Sequence, residues 1–180
     1  MFALERDCYC SGTLRLFSGK RRASMIPKPI QLTINDRRVC MSVTADETLL
    51  LTLRDGLGYT EVKGGCEEGA CGSCTVILNG RPVPSCLILT TTVDGSTIYT
   101  WTGIMNDPLA IRLRSVFHKH NAFQCGFCES GILLHLYAEL RLNPKPSSDV
   151  VESILNSHIC RCGGYGLMRD ALTELIDCHD

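Results

Sequence analysis

Eight of the twelve cysteines stand in two sets whose spacing suits metal ligation. The first set lies in "GGCEEGACGSC": Cys66, four residues, Cys71, two residues, then Cys74, with Cys86 following after a strand-like run. C-x4-C-x2-C with a later fourth cysteine is the plant-type [2Fe-2S] spacing. Each iron of such a centre takes two thiolates besides the bridging sulfides, so three ligands on one loop must curl around it. Gly64, Gly65, Gly69 and Gly72 permit that curl and let amide N–H groups approach sulfur. A zinc ribbon is the competing reading of these residues. Zinc ligands usually arrive as two short-spaced pairs, whereas here three come from one loop and one from a strand end.

The second set joins "QCGFCESG", with Cys125 and Cys128, to "HICRCGGYG", with Cys160 and Cys162. Cys125 and Cys128 precede an apolar helical run, where the positive end of the helix macrodipole favours anionic sulfur. Cys160 and Cys162 fall between two further helices, and the glycines after them allow an irregular connection. C-x2-C with a remote C-x-C is less specific than the loop motif. On the residues alone, redox thiols or a disulfide stay open beside a second cluster.

A chain of 180 residues, 44% hydrophobic and 21% charged, can bury one sizeable core or two small ones. Its net charge of -1 and pI near 6.5 leave no broad electrostatic footprint for nucleic acid or an anionic membrane. Residues 1–28 carry Lys20, Arg21 and Arg22 with no apolar run behind them, so neither a secretory signal nor a membrane span is expected. A thiol-reducing, cytoplasmic setting is expected, which favours metal over disulfides. Cys8 and Cys10 lack two further nearby ligands, so residues 1–28 read as a poorly ordered extension, with Met25 able to serve as an alternative start.

The elements around these motifs change period midway. Ile30, Leu32 and Ile34 alternate with polar residues, "NDR" turns the chain, and Val39, Met41 and Val43 alternate again, giving a hairpin. Asp46 to Arg54 reads as a short helix capped by Asp46 or Thr48 and ended by Gly56 or Gly58. "CTVILNGRPVPSC" gives a third strand, an Asn79-Gly80 turn and a short fourth strand, and "STIYTWT" closes the set. This is a small α+β unit, a mixed sheet packed on one helix. Beyond Trp101 the spacing is helical. Asp107-Pro108 opens a first helix, "GILLHLYAELRL" forms a second that stops at Asn143-Pro144, and Asp149 with Glu152 resembles a capping box for a third. "YGLMRDALTELI" forms a fourth. The expected domains are 29–103 and 104–180, the latter a four-helix arrangement.

From about Ile30 to Ile176 the chain resembles the small iron-sulfur subunit, or N-terminal iron-sulfur region, of the molybdenum hydroxylases, the family of xanthine dehydrogenase, aldehyde oxidase and carbon monoxide dehydrogenase. The resemblance rests on "GCEEGACGSCTVILNG" with Cys86, then "QCGFC", then "CRCGGY", in family order. It implies a plant-ferredoxin-like β-grasp domain followed by a four-helix [2Fe-2S]-binding domain. It also implies that the cluster of Cys125, Cys128, Cys160 and Cys162 lies near the molybdopterin of a large partner subunit, with Gln124 and Cys128 at the pterin contact. The cluster of Cys66, Cys71, Cys74 and Cys86 would lie nearer solvent and pass electrons to FAD in a medium subunit. A chain of this kind is an oxidoreductase subunit that wires two stations together and holds no substrate site of its own.

Two departures from the family pattern stand out. Glu129-Ser130 replaces a common Thr-Pro, so a carboxylate stands beside a ligand; the simpler reading points it to solvent in the first turn of a helix. Gly163 replaces a usual threonine, which puts one hydrogen bond near the ligands in doubt. Cys40 and Cys178 read as ordinary thiols, and His118 and His120 as helix-end cations rather than ligands. His158, two residues before Cys160, could replace a ligand as in Rieske centres, but four cysteines already suffice. No nucleophile triad, phosphate loop or paired-carboxylate site is present. The rival readings are a free-standing ferredoxin-like carrier or redox sensor, and a zinc-stabilised adaptor.

Overall fold

The computed structural model describes residues 27–177. Expectations for Cys8, Cys10, Met25 and Cys178 fall outside the described residues. Strands β1 (Lys28–Ile34) and β2 (Arg37–Val43) form the expected hairpin, with Asn35 and Asp36 both left-handed at its turn. β3 (Thr75–Leu78) and β4 (Arg81–Pro84) form a second around Asn79-Gly80, and β5 (Thr97–Tyr99) inserts between the two. The order is β2-β1-β5-β3-β4, antiparallel except where β5 runs parallel to β1. β1 alternates cleanly, burying Ile30, Leu32 and Ile34, whereas Val39, Cys40 and Met41 of β2 are all half-buried at the sheet edge.

Helix α1 (Leu49–Leu51) is shorter than the pattern implied. Thr48 caps it, and the chain then widens into a π turn over Thr52–Gly56, closed by Leu57 N–H donating to the Thr52 carbonyl at 3.0 Å. The buried Thr52 hydroxyl bonds Glu47 at 2.8 Å and the Thr90 hydroxyl at 2.7 Å, tying this turn to the segment after Cys86. The result is a mixed sheet grasping one helical segment, the β-grasp expected.

A four-residue helix α2 (Trp101–Ile104), absent from the sequence expectation, leads into α3 (Pro108–Lys119), α4 (Glu129–Leu142), α5 (Ser148–Asn156) and α6 (Tyr165–Asp177). Asp107 caps α3 by accepting from Leu109 N–H at 2.9 Å. The capping box at α5 does not form. Ser147 is its N-cap residue, and Glu152 instead pairs with Arg169 of α6. Helix α4 buries Ile132, Leu133, Leu134, Leu136 and Leu140. That nearly all-round apolar surface fits its place: it packs on β3 as well as on α3 and α5, so one buried apolar cluster runs through both halves.

Among the described residues, no helix is long and apolar enough to cross a membrane.

Candidate metal centres

The eight cysteines gather as two quartets, each built from two pairs. In the first, Cys71 N–H donates to Cys66 Sγ at 3.3 Å, the Cys74 and Cys86 thiols hydrogen-bond each other, and the charge of Cys66 reaches Cys86. In the second, Cys125 pairs with Cys162 and Cys128 with Cys160, with electrostatic contact from Cys125 to Cys128 and from Cys160 to Cys162. Among the described residues no three His, Cys, Asp or Glu side chains converge as they would around a single ion. Pairs are what a two-iron centre asks for, since each iron takes two protein thiolates. The donor set and its pairing therefore fit a [2Fe-2S] group at each site better than tetrahedral zinc.

The thiol acidities show why paired sulfurs need a cation. The Glu68 backbone N–H, helped by those of Cys71 and Ala70 against burial, pulls Cys66 down to about 7. Burial, then the neighbouring Cys74, pushes Cys86 up to about 12. In the second quartet burial, then Cys160, raises Cys128 to about 12, even though Cys128 is the N-cap residue of α4. Desolvation therefore outweighs the helix macrodipole at that sulfur, contrary to the sequence argument. Cys125 is lowered by the Phe127 N–H and by Cys162, whereas Cys162 is raised by its hydrogen bond to Cys125. For Cys160 burial opposes ionisation, but amides of Gly164, Cys162 and Gly163 together with Cys128 leave it lowered. Metal-free, these pairs share protons that iron must displace.

The two quartets stand back to back. Ile159 N–H donates to the Cys71 carbonyl at 3.0 Å, joining the loop that ends in Cys160 to the loop that carries Cys71. A Cβ on Gly131 would lie 2.5 Å from the Gly72 carbonyl oxygen, so only glycine lets the first turn of α4 approach that loop. Ser130 Oγ donates to the Glu61 carbonyl at 2.6 Å nearby. The Tyr165 hydroxyl accepts from Cys160 N–H at 2.8 Å and donates to the His158 carbonyl at 2.9 Å, bracing the second loop.

His158 is 2% exposed and is not among the paired sulfurs. Its Nδ1 lies 3.0 Å from the Ile154 carbonyl oxygen, and its Nε2 faces the Gly131 backbone without a hydrogen bond of good geometry. Burial lowers its pKa and takes that of neighbouring His135, whose ring centroid is 5.2 Å away, down to about 4. Both rings are neutral at physiological pH.

Other expectations change in detail. Glu129 does not simply face solvent; its Oε1 is 2.9 Å from His118 Nε2 and 3.6 Å from Arg114 Nε. His120, the C-cap residue of α3, turns its ring to Glu174 at 2.8 Å, so both imidazoles meet carboxylates rather than helix-end carbonyls. Gln124 and Cys125 are exposed while Cys128 is buried. In the chain by itself, the second quartet therefore has the exposed sulfur. The thiol pairing and the bracing by Tyr165, Gly131 and His158 were missed from sequence; the glycines around the cysteines and Tyr165 in "CRCGGYG" were the available signal.

A 2Fe-2S iron-sulfur cluster binding domain matches residues 32–98 and a [2Fe-2S] binding domain matches residues 100–173. The small subunit of nicotine 6-hydroxylase from Paenarthrobacter nicotinovorans is 38% identical over 145 residues, 81% of this chain and 87% of that one. The chain belongs to the iron-sulfur subunits of the molybdenum hydroxylase family. This iron-sulfur subunit is likewise 39% identical over 136 residues to the small FeS subunit of nicotinate dehydrogenase from Eubacterium barkeri, covering 76% of this chain and 87% of that one. Among solved structures, a chain of quinoline 2-oxidoreductase from Pseudomonas putida 86 matches with a TM-score of 0.77 at 36% identity, over 84% of this subunit and 95% of that chain. An α+β fold with two [2Fe-2S]-binding domains, serving an oxidoreductase complex, follows from these likenesses together.

Proposed function

We propose that this iron-sulfur subunit passes single electrons from molybdopterin in a large partner subunit to FAD in a medium one, within a cytoplasmic complex. Cys125, Cys128, Cys160 and Cys162 would hold the cluster facing the molybdopterin side, and Cys66, Cys71, Cys74 and Cys86 the cluster facing the flavin side. Each [2Fe-2S] cluster, when bound, accepts and releases one electron at a time.

The chain's own residues set the conditions for that traffic. The Glu68, Ala70 and Cys71 amides on one side, and those of Gly164 and Gly163 on the other, direct N–H groups at sulfur, which stabilises added negative charge. Burial of Cys71, Cys74, Cys86, Cys128 and Cys160 keeps water from most of the sulfur. Gln124, which is exposed, and Cys128, a buried ligand, would lie at the partner's pterin, and Phe127, 45% exposed between them in sequence, offers an apolar anchor for that partner.

The observation that carries this reading is the back-to-back placement of the quartets, bridged by the Ile159 to Cys71 hydrogen bond. A carrier with one exchange point has no need of two coupled sites. Affinity purification from the native host, with iron, molybdenum and flavin analysis, tests it. Co-elution of two larger chains with molybdenum and FAD is expected. A monomeric iron protein eluting alone would replace the proposal with the free-standing carrier.

A further inference from the structure

Between the loop that carries Cys71 and the loop that carries Cys160 lies a buried imidazole, His158, that ligation does not use. The His158 ring fills the space directly over Gly72, and a Cβ on Gly72 would overlap it. Gly72 follows Cys71, and His158 precedes the Ile159 whose N–H reaches the Cys71 carbonyl at 3.0 Å. The same ring is anchored on its far edge, with Nδ1 3.0 Å from the Ile154 carbonyl oxygen in the last turn of α5 and 3.1 Å from Ser157 Oγ. Its Nε2 is buried against the Gly131 backbone, without a hydrogen bond of good geometry.

We infer that the His158 ring is a spacer, a positioning residue whose flat face against Gly72 sets the separation and mutual orientation of the two cysteine quartets. Three observations converge on this. One nitrogen meets a carbonyl in the last turn of α5, which orients the ring. Its Nε2 edge rests against the Gly131 backbone without a hydrogen bond of good geometry, so that edge contributes chiefly shape. Gly72, at φ +68, leaves a bare backbone surface on which the ring can sit without a side chain between. The inference rests on the reading that both quartets carry clusters.

Magnetic coupling between the clusters reads out their relation directly. The full chain, loaded with both clusters and reduced with dithionite, is frozen and its electron paramagnetic resonance spectrum recorded for wild type, His158→Ala and His158→Phe, with iron content measured alongside. His158→Ala is expected to change or lose the spin–spin splitting at unchanged iron content. His158→Phe is expected to keep it, because the ring still fills the space over Gly72 although the Nδ1 contact with Ile154 is lost, and Ser157 Oγ still donates to the Ile154 carbonyl at 2.7 Å. If His158→Ala fails to load, His158→Leu, which fills volume without a flat ring, takes its place with the same expectation. Wild-type splitting retained in the Ala or Leu chain, or lost in Phe as fully as in Ala, overturns the spacer. A wild-type chain without two [2Fe-2S] signals instead overturns the two-cluster reading itself.

Discussion

Replacing Gly131 by alanine sets two known effects against each other. Gly131 sits in the first turn of α4, where alanine is intrinsically favoured over glycine by about 1 kcal/mol. The new Cβ, however, would stand 2.5 Å from the Gly72 carbonyl oxygen, 3.2 Å from Ser73 Cα and 3.3 Å from the Gly72 carbonyl carbon. All three are backbone atoms of the loop that carries Cys71 and Cys74, so no side chain can swing aside. Ordinary contact lies near about 3.5 Å or beyond, so α4 or the loop must retreat by roughly 1 Å. Overpacking of this kind costs about 1–3 kcal/mol, which outweighs the propensity gain and leaves a net loss of about 1 kcal/mol. For a chain of this size that lowers the melting midpoint by about 2–4 °C. The assay is thermal melting of the cluster-loaded chain, followed by visible absorbance and far-ultraviolet circular dichroism. Gly166→Ala is the control: Gly166 is exposed in α6, its added Cβ meets nothing within 4 Å, and a rise in midpoint is expected. A Gly131→Ala chain that melts as high as wild type, or higher, refutes the packing argument.

Tyr165→Phe removes the hydroxyl that bridges the Cys160 amide and the His158 carbonyl, at a cost of about 1–3 kcal/mol; iron titration with a chelator should strip the second quartet before the first. Glu129→Gln breaks the exposed pairing with His118 and Arg114, so a melting change equivalent to less than about 1 kcal/mol is expected. In the metal-free chain, Cys66, lowered to about 7, should be alkylated fastest near neutral pH, while Cys86 and Cys128, raised to about 12, stay protected until unfolding; peptide mass spectrometry reads this. The depressed Cys66 value adds stability above the unfolded thiol pKa that fades as pH falls through about 7. Iron loading displaces the protons on Cys86 and Cys128, so it should release acid and strengthen as pH rises, measurable by titration in weak buffer.

Local chemistry made much of this architecture readable in advance. Asn79-Gly80 demanded a tight hairpin, Asp107-Pro108 a capped helix start, and the loop spacing of Cys66, Cys71 and Cys74 a two-iron grip; each depends on residues a few positions apart. Helix α5 was harder because Glu152 is drawn to Arg169 on another helix rather than to its own N-terminus. The π turn after α1 depends on Thr52 meeting Thr90 across the fold. The pairing of Cys125 with Cys162 and of Cys128 with Cys160, the Gly131 to Gly72 approach and the seat of His158 join residues dozens of positions apart. No periodicity encodes such meetings; they arise only when α4 closes on β3.

The account stands on two iron pairs held by eight named sulfurs. Iron, zinc and acid-labile sulfide analysis of the anaerobically purified chain, repeated on Cys74→Ser and Cys160→Ser, tests this most directly. About four irons and four sulfides are predicted for wild type, and about two of each for either variant, in keeping with one [2Fe-2S] centre per quartet. Zinc in place of iron, or iron content unchanged in both variants, would contradict it.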